Sequence, residues 1–257
     1  MIDSEPAIRI VRLNYKYAGG QPALRDVSLN VSAHESVALV GPGGAGKSTL
    51  LLHLNGLLPT ELPRQSSHAE VFVNGMGVTR DSAHTIRQRI GLMFQEPDDQ
   101  LFSTTVGDDV AFGPRNLGLS RTDIQARVTR TLDAVSLSGY EQRSPLQLSL
   151  GERKRVCLAG LLACEPNILA LDEPSAGLDP RARRQLMSIL RRFPGAKIVA
   201  SHDLDFVAQV CERVVVLDGG MIRADGPVRD ILTNSSLMEQ HGLEVPLRLK
   251  SRGEQSF

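Results

Sequence analysis

The chain has too few cysteines, too little net charge and too short apolar runs to be a disulfide-built, polyanion-binding or membrane-spanning protein. Its 257 residues include three cysteines, Cys157, Cys164 and Cys211. They do not make a disulfide framework, and no pair among the six scattered histidines has zinc-ligand spacing with one of them. Cys157 and Cys164 lie in an apolar helical stretch at a spacing that puts them on one face, so they read as small core hydrophobes. The 29 basic and 29 acidic residues cancel, and bulk electrostatics therefore offers no nucleic-acid surface. The longest apolar stretches, such as Val156–Cys164, are far too short to cross a bilayer. Met1–Pro6 lacks the basic start and apolar run of a signal peptide. A cytoplasmic chain is expected, peripheral if it serves a membrane process.

What is present is a chain long enough for one large core, or a core plus a lobe. Residues 7–33 read as strands, with Val27, Leu29 and Val31 alternating with polar neighbours as in a half-exposed antiparallel sheet. Glu70–Gly75 adds a strand closing in an Asn-Gly turn. Val37–Val40, Ile90–Phe94, Ile168–Leu171, Lys197–Ala200 and Val214–Leu217 are short continuous apolar runs, the pattern of strands covered on both faces. Apolar residues at 50, 51, 54, 57 and 58 predict a helical stripe. Between residue 96 and about 165 strand signals vanish, and helical patterns occupy Arg121–Val135 and Gly151–Cys164. This predicts a helical lobe inserted into an α/β core. The polar stretch Leu247–Phe257 is expected to be frayed.

The chemistry-bearing residues share a position. A phosphate loop, Gly41-Pro42-Gly43-Gly44-Ala45-Gly46-Lys47-Ser48-Thr49, then Gln95, Asp172-Glu173 and His202 each follow a strand candidate. Ligands of open parallel sheets bind outside the carboxyl ends of the strands, so four segments aim at one place. The glycines let backbone N–H groups wrap phosphates closely, and the helix starting near Lys47 adds its positive end. Lys47 is expected to reach the β- and γ-phosphates and Ser48 to ligate magnesium. Asp172 can hold that metal, and Glu173 can orient or deprotonate an attacking water. Gln95 can contact the metal or the water, and His202 the γ-phosphate; a turn residue and a structural histidine are the plainer readings. Tyr17 can stack on adenine, or be a sheet tyrosine. Ser149 looks like a helix N-cap, with Gly151 small enough for a phosphate to approach the first turn. Asp179-Pro180 reads as an N-cap followed by proline at the first helical position.

Leu148-Ser149-Leu150-Gly151-Glu152 resembles the signature of ATP-binding-cassette ATPases, and the motifs in this order resemble that family from about residue 7 to 233. Within it, Gln95–Phe102, Thr105–Leu119, Val156–Leu162 and Ala176–Pro180 are similar to energy-coupling-factor ATPases, and His241–Leu247 looks like their cobalt/nickel branch. Gly43 stands where most relatives have Asn, Leu150 replaces the usual first Gly of the signature, and Glu152 replaces Gln. The resemblance implies that two subunits close on ATP and Mg2+, each offering Ser149 and Gly151 to the other's nucleotide and touching through Ser175–Asp179. It also implies a docking role for Asp98 and Asp99 toward Arg-bearing coupling helices, where a solvated turn is the alternative.

The expected fold is therefore α/β: a P-loop NTPase core with a parallel sheet (residues 1–95 and 166–257), including an N-terminal antiparallel β-subdomain, and an inserted helical subdomain (96–165). The expected function is ATP hydrolysis powering import of cobalt, nickel or a vitamin. Expected partners are a second ATPase subunit, homodimeric or closely related, a transmembrane coupling subunit and a substrate-binding membrane subunit, with this chain peripheral at the cytoplasmic face of the cell membrane. No direct nucleic-acid contact is expected, and the solute is not bound by this chain. A soluble ATPase of the same family, remodelling a cytoplasmic assembly, is the alternative. A P-loop kinase or GTPase has no use for residues 148–152 in trans.

Overall fold

A computed structural model describes residues 5–246 and Leu249; the rest of the polar 247–257 stretch, and Met1–Ser4, lie outside them. The strands are β1 (Ile8–Lys16), β2 (Pro22–Val31), β3 (Ser36–Val40), β4 (Val71–Val73), β5 (Met76–Gly77), β6 (Ile90–Met93), β7 (Ile168–Asp172), β8 (Ala196–Ala200), β9 (Arg213–Asp218) and β10 (Met221–Pro227). The helices are α1 (Lys47–Leu54), α2 (Ala83–Arg89), α3 (Val106–Asn116), α4 (Arg121–Ala134), α5 (Leu150–Ala163), α6 (Pro180–Arg192), α7 (Leu204–Val210), α8 (Val228–Leu232) and α9 (Ser235–Gln240).

Two sheets form, in the orders β2-β1-β4-β5 and β10-β9-β3-β8-β7-β6. The first is antiparallel, and in β2 Val27, Leu29 and Val31 are the buried half of the alternation. In the second, β9, β3, β8, β7 and β6 run parallel, while β10 returns antiparallel along β9. All five residues of β3 and of β8 are buried, which is why these strands read as mainly apolar runs, with only Ser36 and Lys197 polar. Between the sheets, Ile8, Ile10, Leu39, Leu50 and Ile198 share one core with α1. On the other face, Val40, Leu186, Leu190, Phe206 and Val207 pack β3 against α6 and α7. Between β6 and β7 there is no strand: α3, α4 and α5 enclose their own core of Val106, Val110, Leu132, Val156 and Ala159.

Two sequence expectations are corrected. The stripe from Leu50 does not continue to residues 57 and 58, because α1 ends at Leu54, with Asn55 as its cap and Gly56 at φ +67°. Leu57 is consequently exposed. The helical lobe also contains a third helix, α3. Thr105 caps it by accepting the Asp108 N–H, so it forms despite Gly107, Gly113 and Pro114.

Candidate active site

The parallel register lines up the ends of four strands. Leu39 lies opposite Ala200, Ala200 opposite Asp172, and Leu171 opposite Met93. The segments leaving β3, β8, β7 and β6 therefore emerge side by side, carrying the phosphate loop, His202, Glu173 and Gln95.

The phosphate loop turns tightly beneath the antiparallel sheet. Gly46 sits at φ +104°, and a Cβ there would stand 2.5 Å from the Ala23 carbonyl oxygen, so only glycine fits. At Gly43 and Gly44, by contrast, an added Cβ would meet nothing within 4 Å, and both residues are exposed. Pro42 is half-buried and Ala45 buried under this rim. Lys47 Nζ donates to the carbonyls of Gly41 at 2.7 Å and Pro42 at 2.9 Å. Burial pulls its pKa down, against the opposing pull of Glu173 and Asp172. Ser48 donates to the Asp172 carboxylate, whose pKa desolvation nevertheless pushes up, with the charge of Glu173 adding to the shift. Two hard oxygen donors thus meet where burial disfavours an uncompensated anion, which fits Mg2+. Among the described residues no three His, Cys, Asp or Glu side chains cluster around a metal, so phosphate oxygens and water would complete its shell.

Glu173 is buried, with its backbone at φ +43°, a region that costs a non-glycine residue about 1–3 kcal/mol. Its carboxylate is held from three directions. Oε1 accepts the His202 backbone N–H at 3.0 Å and lies 2.8 Å from His202 Nδ1, while Oε2 accepts from Ser201 Oγ at 3.2 Å. His202 itself stays exposed. Such a carboxylate is oriented before any water arrives, the arrangement general-base assistance needs.

The remaining candidates divide. Gln95 lies two residues beyond β6, exposed on the same rim. Tyr17, just past β1, reaches the loop through its hydroxyl, 2.9 Å from Thr49 Oγ1, and keeps an exposed ring set edge-on to Tyr15. Ser149 and Gly151 are not brought to this chain's phosphate loop. Ser149 caps α5 in a capping box with Glu152, whose other oxygen accepts from Tyr140 at 3.0 Å. The Ser149 N–H and hydroxyl hold the Glu152 carboxyl below its usual range, the backbone bond contributing most. A Cβ at Gly151 would stand 2.8 Å from Ala182 in α6. Leu150 packs over the 175–179 loop: a Cβ on Gly177 would be 2.6 Å from its Cδ2. Asp179 caps α6 through the N–H groups of Arg181 and Ala182, with Pro180 first in the helix.

Two polar residues that the sequence reading passed over are buried here. Lys154, inside an apolar helix, donates to the carbonyls of Glu173 and Ala176. Asp109 of α3 accepts the N–H groups of Phe102 and Ser103 through Oδ1, while its Oδ2 is buried without a partner. It borders a groove of about 290 Å³ between α3 and α5, beside the exposed, edge-on rings of Phe102 and Phe112. Asp98 is less free than expected, lying 3.5 Å from Arg153.

A family model described as ABC transporter matches residues 24–176. A putative ABC transporter ATP-binding protein of Gloeobacter violaceus is 48% identical over 247 residues, covering 95% of this chain and 98% of that protein. The energy-coupling factor transporter ATP-binding protein EcfA of Methanothermobacter thermautotrophicus is 44% identical over 244 residues, covering 93% and 76%. Among solved structures, cbiO1 of Clostridium perfringens, described as part of the ABC transporter complex cbiONQ, superposes with a TM-score of 0.79 at 33% identity, covering 97% and 98%. A dimeric ATP-binding cassette in a post-hydrolysis state, bound to ADP and Pi, gives 0.74 at 25% identity, covering 86% and 98%.

Proposed function

The chain belongs to the ABC transporter family, among ATP-hydrolysing subunits of the energy-coupling-factor type, and from that premise we propose that it powers import of cobalt or nickel through a membrane complex. A vitamin is the other cargo class the sequence resemblance allows. ATP binds between two copies of the chain or between it and a close relative. In each site Lys47 leaves its loop carbonyls for the phosphates. Ser48 and Asp172, with Gln95 at the rim, would hold Mg2+, which would supply charge neutralisation to the phosphates when bound. Glu173, fixed by Ser201 and His202, orients the attacking water and takes its proton. His202, exposed on the same carboxylate, meets the γ-phosphate and registers its departure. Ser149 and Gly151, turned away from their own phosphate loop, are available to the partner's nucleotide.

One departure from the family pattern bears on that last contact. Glu152 places a carboxylate in the turn that receives the partner's γ-phosphate. Glu152→Gln keeps an oxygen for the cap and removes the charge. The expected result is tighter ATP-dependent dimerisation, by about two- to fivefold, the 0.3–1 kcal/mol of one charge at a helix terminus. Analytical ultracentrifugation with ATP in a hydrolysis-deficient background reads it directly, and unchanged or weaker association counts against the trans contact.

The transport half rests on the groove between α3 and α5. No helix among the described residues is long and apolar enough to cross a membrane, so a solute path requires another subunit. The groove offers two exposed aromatic rings and a buried, half-unpartnered carboxylate, which suits an apolar helix bearing one basic or hydrogen-bond-donating side chain. Asp109→Asn combined with Phe102→Ala keeps an Oδ1 for the loop bonds and removes both the charge and an anchor ring. ATPase activity of the isolated subunit should stay within about twofold of native. Co-purification with the membrane subunit and uptake should fall by about 30-fold or more, the loss of one hot-spot anchor. Native assembly and uptake in this variant would return the groove to an ordinary surface crevice.

A further inference from the structure

Lys154 is 2% exposed, yet no carboxylate takes its charge in an ion pair among the described residues. Its Nζ instead donates to two backbone carbonyls, Glu173 O at 2.9 Å and Ala176 O at 3.0 Å. Burial draws its pKa down, while Glu96, Glu173 and Asp172 favour the charged form. A buried amine is costly to desolvate, and a Met or Leu would fill the same space without that cost. What Lys154 holds is specific. The Glu173 peptide is the one at φ +43°, and its N–H donates to Ala200 O at 2.9 Å. Lys154 grips the same residue from its carbonyl side. Ala176, its second acceptor, belongs to the loop against which Leu150 packs.

The N-terminus of α5 gives this grip a direction. Ser149 caps the helix and Gly151 lies in its first turn; Lys154 follows about 7.5 Å along the axis from Ser149, at 1.5 Å per residue. A helix is stiff over that length. Any displacement of the capped end therefore reaches Nζ, and through it the Glu173 carbonyl. Arg153, next in the helix, faces Asp98 instead, so this link to the catalytic loop runs through Lys154.

We propose that Lys154 is a positioning residue that transmits engagement of α5 with the partner's nucleotide to the backbone of Glu173 and to the 175–179 loop, so that filling one site speeds the setting of the other site's carboxylate without being required for it. This rests on the two-copy site proposed above. It makes hydrolysis cooperative in ATP, and it assigns the effect to two N–H donations rather than to contact with the substrate.

The test uses the full-length dimer with Lys154→Met, which retains volume and removes the donors, and Lys154→Gln. Glutamine keeps N–H donors but is one bond short, so it holds the two carbonyls less well. Expected for Met are a kcat lowered by about tenfold or more, ATP affinity by calorimetry within about twofold of native, and a Hill coefficient reduced from above 1 to 1. Gln should give the same changes at smaller size, and it decides alone should the Met variant not fold. The proposal is overturned by native kcat and Hill coefficient in the Gln variant. It is equally overturned by a native enzyme with a Hill coefficient of 1, or by kcat and affinity falling together in a folded Met variant. Failure of the two-copy reading has a separate signature, absence of recovery in the mixed-chain experiment below. Recovery there with Gln-variant kinetics unchanged removes Lys154 alone.

Discussion

Glu173→Gln should bind ATP with native affinity and release phosphate about 10²–10⁴ times more slowly, the range expected for loss of a positioned general base. The geometry makes the substitution clean. Gln has the same shape, and one oxygen can still accept from the His202 N–H, now at 3.0 Å from Oε1. The phosphate-binding residues are untouched, because Lys47 is bonded to Gly41 and Pro42 rather than to Glu173. What disappears is the group that takes a proton from water. With hydrolysis blocked, ATP should accumulate in a closed dimer visible by size-exclusion chromatography, while ADP gives monomer. Single-turnover phosphate release measures the chemistry. A variant that still turns over at near-native rate would leave Glu173 as a structural carboxylate tying β7 to the segment after β8.

The second large effect is expected from mixing two inactive chains. Lys47→Ala removes a charge-assisted phosphate contact of about 1.5–3 kcal/mol, at least a tenfold loss of ATP affinity by calorimetry. Ser149→Arg destroys the cap of α5 and puts a long side chain at its N-terminus. Each homodimer then has two damaged sites. In a mixed dimer, a composite site joins the phosphate loop of one chain to Ser149 of the other, so both lesions fall in one site and the other is whole. Random pairing makes half the dimers mixed, each with one of two sites intact, for at most about a quarter of native turnover, and about tenfold less where the whole site also loses the coupling through Lys154. Recovery of any activity beyond the separate variants establishes the trans contact. No recovery, with subunit exchange shown by fluorescence transfer, excludes it. The placement of Ser149 and Gly151 favours recovery, since both are engaged with α5 and α6 rather than with their own phosphate loop.

Much of this architecture is written locally. The buried strands are mostly Val, Leu, Ile and Ala, with Ser36 and Lys197 the polar exceptions in β3 and β8, the phosphate loop is framed by a strand and a helix, and Ser149 and Asp179 announce their helices by capping chemistry. Because the candidate residues leave adjacent parallel strands, knowing which segments are strands was nearly enough to assemble the site. The misses have physical causes. α3 contains Gly107, Gly113 and Pro114, which oppose a helix by propensity; the Thr105/Asp108 cap was the available signal. The stripe after Leu50 kept its apolar period past a glycine that ends the helix. The buried contacts of Lys154 and Asp109 were not legible, because what they touch is far along the chain or is backbone. A buried amine that reaches the Glu173 and Ala176 carbonyls leaves no pattern in the residues around it.

The hydroxyl of Tyr17 is occupied by Thr49, which leaves its ring as what this side chain can offer a nucleobase. A ring face attracts any base by stacking and does not read the donors and acceptors on its edge. In the proposed role, Tyr17 therefore supplies adhesion without discrimination. Tyr17 would then add grip on the base without favouring ATP over GTP, and any selection between them would come from other groups that line the base.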